Sequence, residues 1–316
     1  MNKISIIDVG TNSIKFHIAE LTPDGKVETI LDENNIARIG EGLRKTGILS
    51  WEAMIRNTNA IMEFVNTAKK LGVNEFLGVG TMALRTAKNS GEFIKMVKDA
   101  CSIEIKVIPG EEEARLSYLA VLSGLKLHDK DLVIFDTGGG STEFIFGCGQ
   151  EIKKKFSVNL GALSITEEIF KKNPPTEDEI REALEKIDKT FEKYGVSGKV
   201  TQLIGMGGGV ANIGAVKHKM AKYDPNIIQG SKLELREVEK QIKMYRSKTN
   251  EERQQIVGLQ PKRAEVILAG ACILKVIMEK LGIDHLTISN RGLRHGLAYD
   301  LLINNNNNYK SQNRLC

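Results

Sequence analysis

Two glycine-rich turns, each headed by an aspartate, are the segments of this sequence whose residue types best suit chemistry. The first follows Asp8 and the second follows Asp136, and apolar, strand-like residues flank both. Glycine lets backbone N–H groups approach a phosphate oxygen without a Cβ in the way, and hydroxyl side chains add donors. We therefore predict phosphate binding by the residues of both turns: Gly10, Thr11, Asn12, Ser13, Gly138, Gly139, Gly140 and Ser141.

The two turns repeat one another. Identical residues recur at one offset of 128 positions: Asp8/Asp136, Gly10/Gly138 and Ser13/Ser141. Solenoid repeats are spaced by about 20 to 50 residues, so this larger spacing indicates two similar domains. A third glycine-rich turn, Gly205 to Gly209, adds Gly207 and Gly208 as phosphate-binding candidates. Any one turn could be a tight hairpin without a ligand, but the set of three favours a phosphate site.

The aspartates of the two turns predict a divalent cation. Two carboxylates that point toward the same phosphates repel unless a cation lies between them. Glu143 follows the second turn on the next predicted strand. Magnesium takes only one or two carboxylates and keeps most of its waters. We therefore predict Mg²⁺, with Mn²⁺ as an alternative, held by Asp8, Asp136 and Glu143.

Composition narrows the class of protein. The 316 residues are 41% hydrophobic and 27% charged, which is ordinary for two folded domains. A net charge of +5 suits an acidic ligand but is low for a protein that coats nucleic acid, and 5% aromatic residues argue against base stacking. The longest apolar stretch, Val266 to Met278, contains Lys275 and predicts a buried helix, not a membrane span. With no signal peptide and four scattered cysteines, a cytoplasmic protein without membrane or nucleic-acid partners is expected.

Periodicity and turn signals predict a mixed α/β organisation. A β-hairpin is predicted around each aspartate turn. Between the two hairpins, a helix is predicted to begin after Ser50 and to end before Gly72. In the second half, TEDE at 176–179 reads as a capping box. We predict domains at 1–124 and 125–295, a helix 296–303 that packs back on the first domain, and a low-complexity tail at 304–316.

Six blocks of the sequence resemble the Ppx/GppA phosphatases, in the order found in that family. They are IDVGTNSIKF, GTMALRTA, IPGEEEARLSYLAV, IFDTGGGSTEFIFG, IGMGGGVANI and ISNRGLRHGLAYD. The resemblance runs from Ile4 to Leu302, and the GEEEAR and TMALRTA blocks are the ones specific to this family. It implies a duplicated ribonuclease-H-like (actin-like ATPase) fold, with two domains and a central cleft.

The resemblance also implies roles for two residues. Glu113 would be the general base that activates the attacking water, and Arg85 would hold a phosphate. Without the resemblance, Glu112 and Glu113 would read as solvated acidic residues at a helix N-terminus, and Arg85 as a surface residue. Basic residues before the long apolar helix and in the block SNRGLRHG are further candidates for a polyanion track: Lys262, Arg263, Arg291, Arg294 and His295.

The expected reaction is hydrolysis of the terminal phosphoanhydride of inorganic polyphosphate. The alternative is hydrolysis of the 5′-phosphate of guanosine pentaphosphate, since both substrates present the same terminal bond. Two further alternatives are a sugar or acetate kinase-like phosphotransferase of the same superfamily and a non-enzymatic, actin-like nucleotide-binding module. The resemblance suggests a homodimer.

Overall fold

The computed structural model describes residues 3–125, 131–148 and 151–304. Apart from Asn304, the predicted low-complexity tail at 304–316 lies outside the described residues. The chain divides into two compact units. Unit 1 holds the residues up to Ser123 together with those from Gly292 onward, and unit 2 runs from Gly124 to Arg291.

Unit 1 is built on a five-stranded sheet with helices on both faces. Its strands are β1 (Lys3–Val9), β2 (Ile14–Leu21), β3 (Val27–Asn35), β4 (Phe76–Gly80) and β5 (Ile105–Val107). Its helices, numbered along the whole chain, are α1 (Leu43–Thr46), α2 (Trp51–Lys70), α3 (Met82–Thr86), α4 (Ser90–Cys101), α5 (Gly110–Leu122) and α13 (Leu293–Tyr299), followed by a π-helical turn (Asp300–Asn304).

Unit 2 is built on a six-stranded sheet. Its strands are β6 (Asp131–Thr137), β7 (Thr142–Cys148), β8 (Glu151–Val158), β9 (Gln202–Met206), β10 (Lys232–Glu234) and β11 (His285–Ile288). Its helices are α6 (Ala162–Ile169), α7 (Glu177–Lys193), α8 (Gly207–Lys217), α9 (Pro225–Ile228), α10 (Leu235–Arg246), α11 (Asn250–Arg253) and α12 (Ile267–Lys280), with a 3₁₀ turn at Pro261–Arg263.

The two sheets share one topology. Unit 1 has the order β3-β2-β1-β4-β5, and unit 2 repeats it as β8-β7-β6-β9-β11, with β10 added at the edge. In unit 1, β2 runs antiparallel to both of its neighbours, whereas β1, β4 and β5 run parallel to one another. In unit 2, β7 likewise runs antiparallel to both of its neighbours, whereas β6, β9 and β11 run parallel to one another. This order with one reversed strand is that of ribonuclease H, so the predicted duplicated, actin-like fold is confirmed.

Alternation along β1 decides which helices face the first aspartate. Ile7 and Val9 pack into the core under α2 and α4, whereas Ile4 and Ile6 pack under α5 and α13. Because successive strand residues point to opposite faces, Asp8 lies on the same face as Ile6. The aspartate therefore shares its face of the sheet with helix α5.

Several local signals act as predicted. The Ser50 hydroxyl accepts the Ala53 N–H at 3.2 Å and starts α2, and Thr176 and Glu179 form the capping box of α7.

The apolar stretch predicted as a buried helix is α12. This helix begins at Ile267, one residue into the predicted stretch, and the 3₁₀ turn at Pro261–Arg263 precedes it. Among the described residues, no helix is long and apolar enough to cross a bilayer.

Candidate active site

The first aspartate turn is a closed, largely buried loop between β1 and β2. The Gly10 N–H donates to the Ser13 carbonyl at 3.1 Å, and a Cβ on Gly10 would lie only 3.0 Å from that oxygen. The carbonyls of Thr11 and Asn12 accept N–H groups from the segment 38–40 at 3.0 and 3.1 Å. These bonds hold the turn residues in place independently of any ligand.

Asp8 is nearly inaccessible, with 1% of its surface exposed. It pairs across the hairpin with Lys15, whose Nζ donates to Asp8 Oδ2 at 3.1 Å. In the part of the chain that the structure describes, Asp8 Oδ1 and Asn12 Oδ1 are buried and have no hydrogen-bond partner. Buried polar atoms are almost always hydrogen-bonded in native proteins. Two such atoms beside one turn are what a ligand-binding loop leaves open.

Arg85 and Glu113, the two residues predicted to be catalytic, form an ion pair. Arg85 Nη1 donates to Glu113 Oε2 at 2.8 Å and to the Ile108 carbonyl at 2.9 Å. Helix α3, which carries Arg85, begins just after β4. The Thr81 N–H donates to the Val9 carbonyl at 3.2 Å, so this helix starts beside the end of β1. The structure therefore gives Arg85 a carboxylate partner, and the phosphate-holding role that the resemblance implies stays a prediction.

The three glutamates in the first turn of α5 have different surroundings. Glu111 is exposed, and Glu112 faces Arg115, which binds both of its carboxylate oxygens at 2.9 and 2.8 Å. Glu113 alone is buried, with 9% of its surface exposed. Burial therefore shields Glu113 from bulk water more than the other two glutamates, as a carboxylate in an enclosed reaction site would be.

The second aspartate turn, in unit 2, has the same closure. The Gly138 N–H donates to the Ser141 carbonyl at 2.9 Å. The first turn of α6 lies directly on this loop, where the carbonyls of Gly138 and Gly139 accept its N–H groups at 2.8 to 3.1 Å. A Cβ on Gly161 would come within 2.6 Å of Gly139, so glycine is required for this close approach.

The two hairpins differ at one cross-strand position. Asp136 pairs across its hairpin with Glu143, whereas Asp8 pairs with a lysine. Glu143 is 2% exposed and its Oε1 accepts the Ser157 hydroxyl at 2.7 Å. Directly opposed like charges destabilise a hairpin unless a cation offsets them. The acidic pair of unit 2 therefore fits a divalent cation, and the aspartate of unit 1 already has its own cation.

No cluster of three or more metal-binding side chains occurs within residues 3–125, 131–148 and 151–304. Magnesium does not require one, because it is usually held by one or two carboxylates, waters and substrate phosphates. The Asp136 and Glu143 pair meets that description within unit 2.

The third glycine turn joins β9 to α8. Gly207 has a φ of 93°, and a Cβ there would lie 2.6 Å from Asp136 Oδ1. A Cβ on Gly208 would lie 2.1 Å from Arg263 Nη2, so the guanidinium of Arg263 rests on this glycine. Burial lowers the pKa of Arg263 to about 10, which leaves it charged at neutral pH. Arg263 is one of several basic candidates in the sequence, and no local signal distinguishes it from the others.

Other basic candidates are engaged elsewhere. Arg294 binds Asp32 through two bonds of 2.5 and 2.8 Å, and His295 Nε2 lies 3.4 Å from the same carboxylate. Burial alone would raise the pKa of Asp32, but Arg294 and His295 hold it well below its usual range. The charge of Arg294 is therefore used inside unit 1, where it joins helix α13 to Asp32 of β3.

Comparison with known proteins agrees with the resemblance drawn from the sequence. The model of the Ppx/GppA phosphatase family matches residues 18–305. A bifunctional 3-dehydroquinate synthase/phosphatase of Fusobacterium nucleatum is 33% identical over 90% of this chain and 44% of that protein. Exopolyphosphatase 2 of Mycobacterium tuberculosis is 28% identical over 95% of this chain and 99% of that protein. A guanosine-5′-triphosphate,3′-diphosphate pyrophosphatase of Photobacterium profundum is 31% identical over 94% of this chain and 58% of that protein.

The chain thus spans about half the length of the Fusobacterium nucleatum and Photobacterium profundum relatives, and nearly all of the Mycobacterium tuberculosis exopolyphosphatase 2. A solved structure of the Aquifex aeolicus Ppx/GppA family member superposes with a TM-score of 0.81 and 32% identity. It covers 96% of this chain and 99% of that one. The family match over most of the sequence and this structural agreement show that the chain belongs to the Ppx/GppA phosphatase family.

Proposed function

We propose that this chain hydrolyses the terminal phosphoanhydride of inorganic polyphosphate. The observation that carries the proposal is the buried Glu113 carboxylate, held by Arg85 at 2.8 Å at the start of α5. The full-length similarity to an exopolyphosphatase supports polyphosphate as the substrate. The similarity to a guanosine-5′-triphosphate,3′-diphosphate pyrophosphatase supports the 5′-phosphate of guanosine pentaphosphate as the second candidate.

In the proposed reaction, Glu113 accepts a proton from a water molecule whose oxygen attacks the terminal phosphorus. The bond from that phosphorus to the bridging oxygen breaks, and the shortened chain leaves with the electron pair. Positioning and charge neutralisation supply most of the catalysis of such transfers. Arg85 orients Glu113, and backbone N–H groups of the glycine turns hold phosphate oxygens.

We also propose that Mg²⁺, with Mn²⁺ as an alternative, is the cofactor. The residues that would hold it are Asp136 and Glu143, the opposed carboxylates of unit 2. When bound, the metal would neutralise developing charge on the phosphate oxygens. Asp8, the third predicted metal ligand, has less need of a metal ion, because Lys15 already binds one of its carboxylate oxygens.

Phosphate release tests the proposal directly. Long-chain polyphosphate, guanosine pentaphosphate and ATP are compared with Mg²⁺ and with chelator, for wild type, Glu113→Gln and Glu111→Gln. We expect metal-dependent release from one of the first two substrates, with no acceptor present. Loss of a general base should lower kcat by about 10² or more in Glu113→Gln. The exposed neighbour, Glu111→Gln, is the matched control and should retain full activity.

Other results would favour the rival functions. Release from ATP alone, or transfer that needs an acceptor, would support a kinase of the same superfamily. Nucleotide binding without turnover would support a non-enzymatic module. Full activity of Glu113→Gln would refute the assigned base. The cytoplasmic location and the homodimer remain part of the proposal, to be checked by cell fractionation and analytical ultracentrifugation.

A further inference from the structure

The first turn of α5, which carries Glu113, has no side-chain cap. Pro109 occupies the N-cap position and offers no side-chain acceptor, so the N–H groups of Glu112 and Glu113 rely on the Pro109 carbonyl, at 3.1 Å each. First turns of helices fray because their N–H groups lack intrahelical partners. Contacts from outside this turn therefore add to these two bonds in fixing the position of Glu113.

Arg115 supplies one such contact by joining the turn to the C-terminal segment. Its guanidinium binds both oxygens of Glu112, at 2.9 and 2.8 Å, and Asp300 Oδ2 at 2.6 Å. The hydrogen bonds that Arg115 donates to Glu112 and Asp300 raise the pKa of its guanidinium. A planar guanidinium that bridges two carboxylates fixes direction as well as distance. Asp300 is 185 positions from Arg115 in sequence, so this anchor is purely tertiary.

Helix α13 is seated so that Asp300 reaches Arg115. A Cβ on Gly296 would lie 1.8 Å from the Leu116 carbonyl, so the backbones of α13 and α5 touch at this point. Leu293 and Leu297 pack with Leu116 in one apolar cluster. Gly296 and Asp300 are four residues apart and thus on one helical face. The face that packs on Leu116 therefore also presents Asp300 to the neighbouring arginine.

We infer that Arg115 and Asp300 are positioning residues for the general base. Their ion pair holds Glu112, and through it the first turn of α5, so that Glu113 stays aligned with Arg85. The inference rests on the proposed role of Glu113. Arg115 and Asp300 are 32% and 23% exposed, so the pair contributes little to overall stability and its loss should leave the fold intact.

The test compares Asp300→Asn and Asp300→Glu with Asp99→Asn. Asp99 forms an exposed ion pair with Lys95 on α4 and is the matched control. Misplacement of a catalytic group by about 1 Å can cost about 10² in rate, so we expect kcat on long-chain polyphosphate to fall by about 10-fold or more in Asp300→Asn. KM should change little, Asp300→Glu should recover activity, and the control should match wild type.

Amide hydrogen exchange of the segment 110–116 provides a readout independent of turnover. Exchange should become faster in Asp300→Asn, with no change elsewhere in α5. Unchanged exchange together with unchanged kcat would overturn the inference. An inactive Glu113→Gln beside a fully active Asp300→Asn would overturn it while leaving the proposed function standing. Full activity of Glu113→Gln would instead refute the proposed base, and with it the positioning role.

Discussion

Buried His17 predicts a pH-dependent loss of stability in unit 1. His17 lies on β2, 1% exposed, with its ring centroid 4.4 Å from that of His295 on α13. Burial, the nearby His295 and Arg294 lower the pKa of His17 to about 3, against the opposite effect of Asp32. The imidazole is therefore neutral in the folded protein over the range in which a solvated histidine becomes charged.

The size of the effect follows from proton linkage. The unfolded chain protonates His17 near pH 6.5 and the folded unit only near pH 3, so the unfolded state binds the extra proton between these values. Stability must then fall as the pH is lowered through that window. Between about pH 7.5 and about pH 5 this one residue should cost about 2 kcal/mol of unfolding free energy.

Urea unfolding of wild type and His17→Phe at the two pH values measures this term. Phenylalanine keeps an aromatic ring beside His295 but cannot be protonated. The single tryptophan, Trp51, belongs to unit 1, so its fluorescence follows that unit. We expect wild type to lose about 2 kcal/mol more than His17→Phe on acidification. His218→Gln, which alters an exposed histidine of unit 2, is the control and should behave as wild type.

Equal losses in wild type and His17→Phe would refute the reasoning. They would mean that His17 is protonated in the folded unit at about pH 5, so that burial does not exclude the charge. A smaller loss in wild type than in the variant would reverse the sign and would be incompatible with a neutral, buried imidazole.

Three further predictions concern the site and its support. Glu143→Gln removes one of two opposed carboxylates, so the Mg²⁺ concentration for half-maximal activity should rise about 10-fold or more, and an unchanged titration would argue against this metal site. Gly208→Ala should displace the Arg263 guanidinium and raise KM. In the control, Gly209→Ala, the added methyl meets no atom within 4 Å and KM should stay at the wild-type value. Equal KM values for the two variants would contradict a role for the contact between Gly208 and Arg263. Gly296→Ala forces a methyl against a carbonyl of α5, and thermal unfolding should show a loss of about 1 to 3 kcal/mol, with an unchanged midpoint as the contrary result.

The turns, the duplication and the fold class could be predicted from sequence because they are local or periodic features. The glycine and hydroxyl residues after Asp8 and Asp136 determine each hairpin, and the repeat of both turns at one offset predicted two similar domains. Capping signals at Ser50 and Thr176 placed helix starts correctly, because a cap satisfies N–H groups within three residues of itself.

Side-chain partners across the fold could not be predicted in this way. Glu112 and Glu113 are adjacent and identical in sequence, yet one faces Arg115 and the other Arg85. Arg294 joins Asp32 from 262 positions away. Such pairs depend on strand register and on how closely helices pack, which no local pattern encodes. By itself the sequence determined the glycine turns and the duplicated fold, whereas only the tertiary structure decided which charges meet, because long-range packing sets those distances.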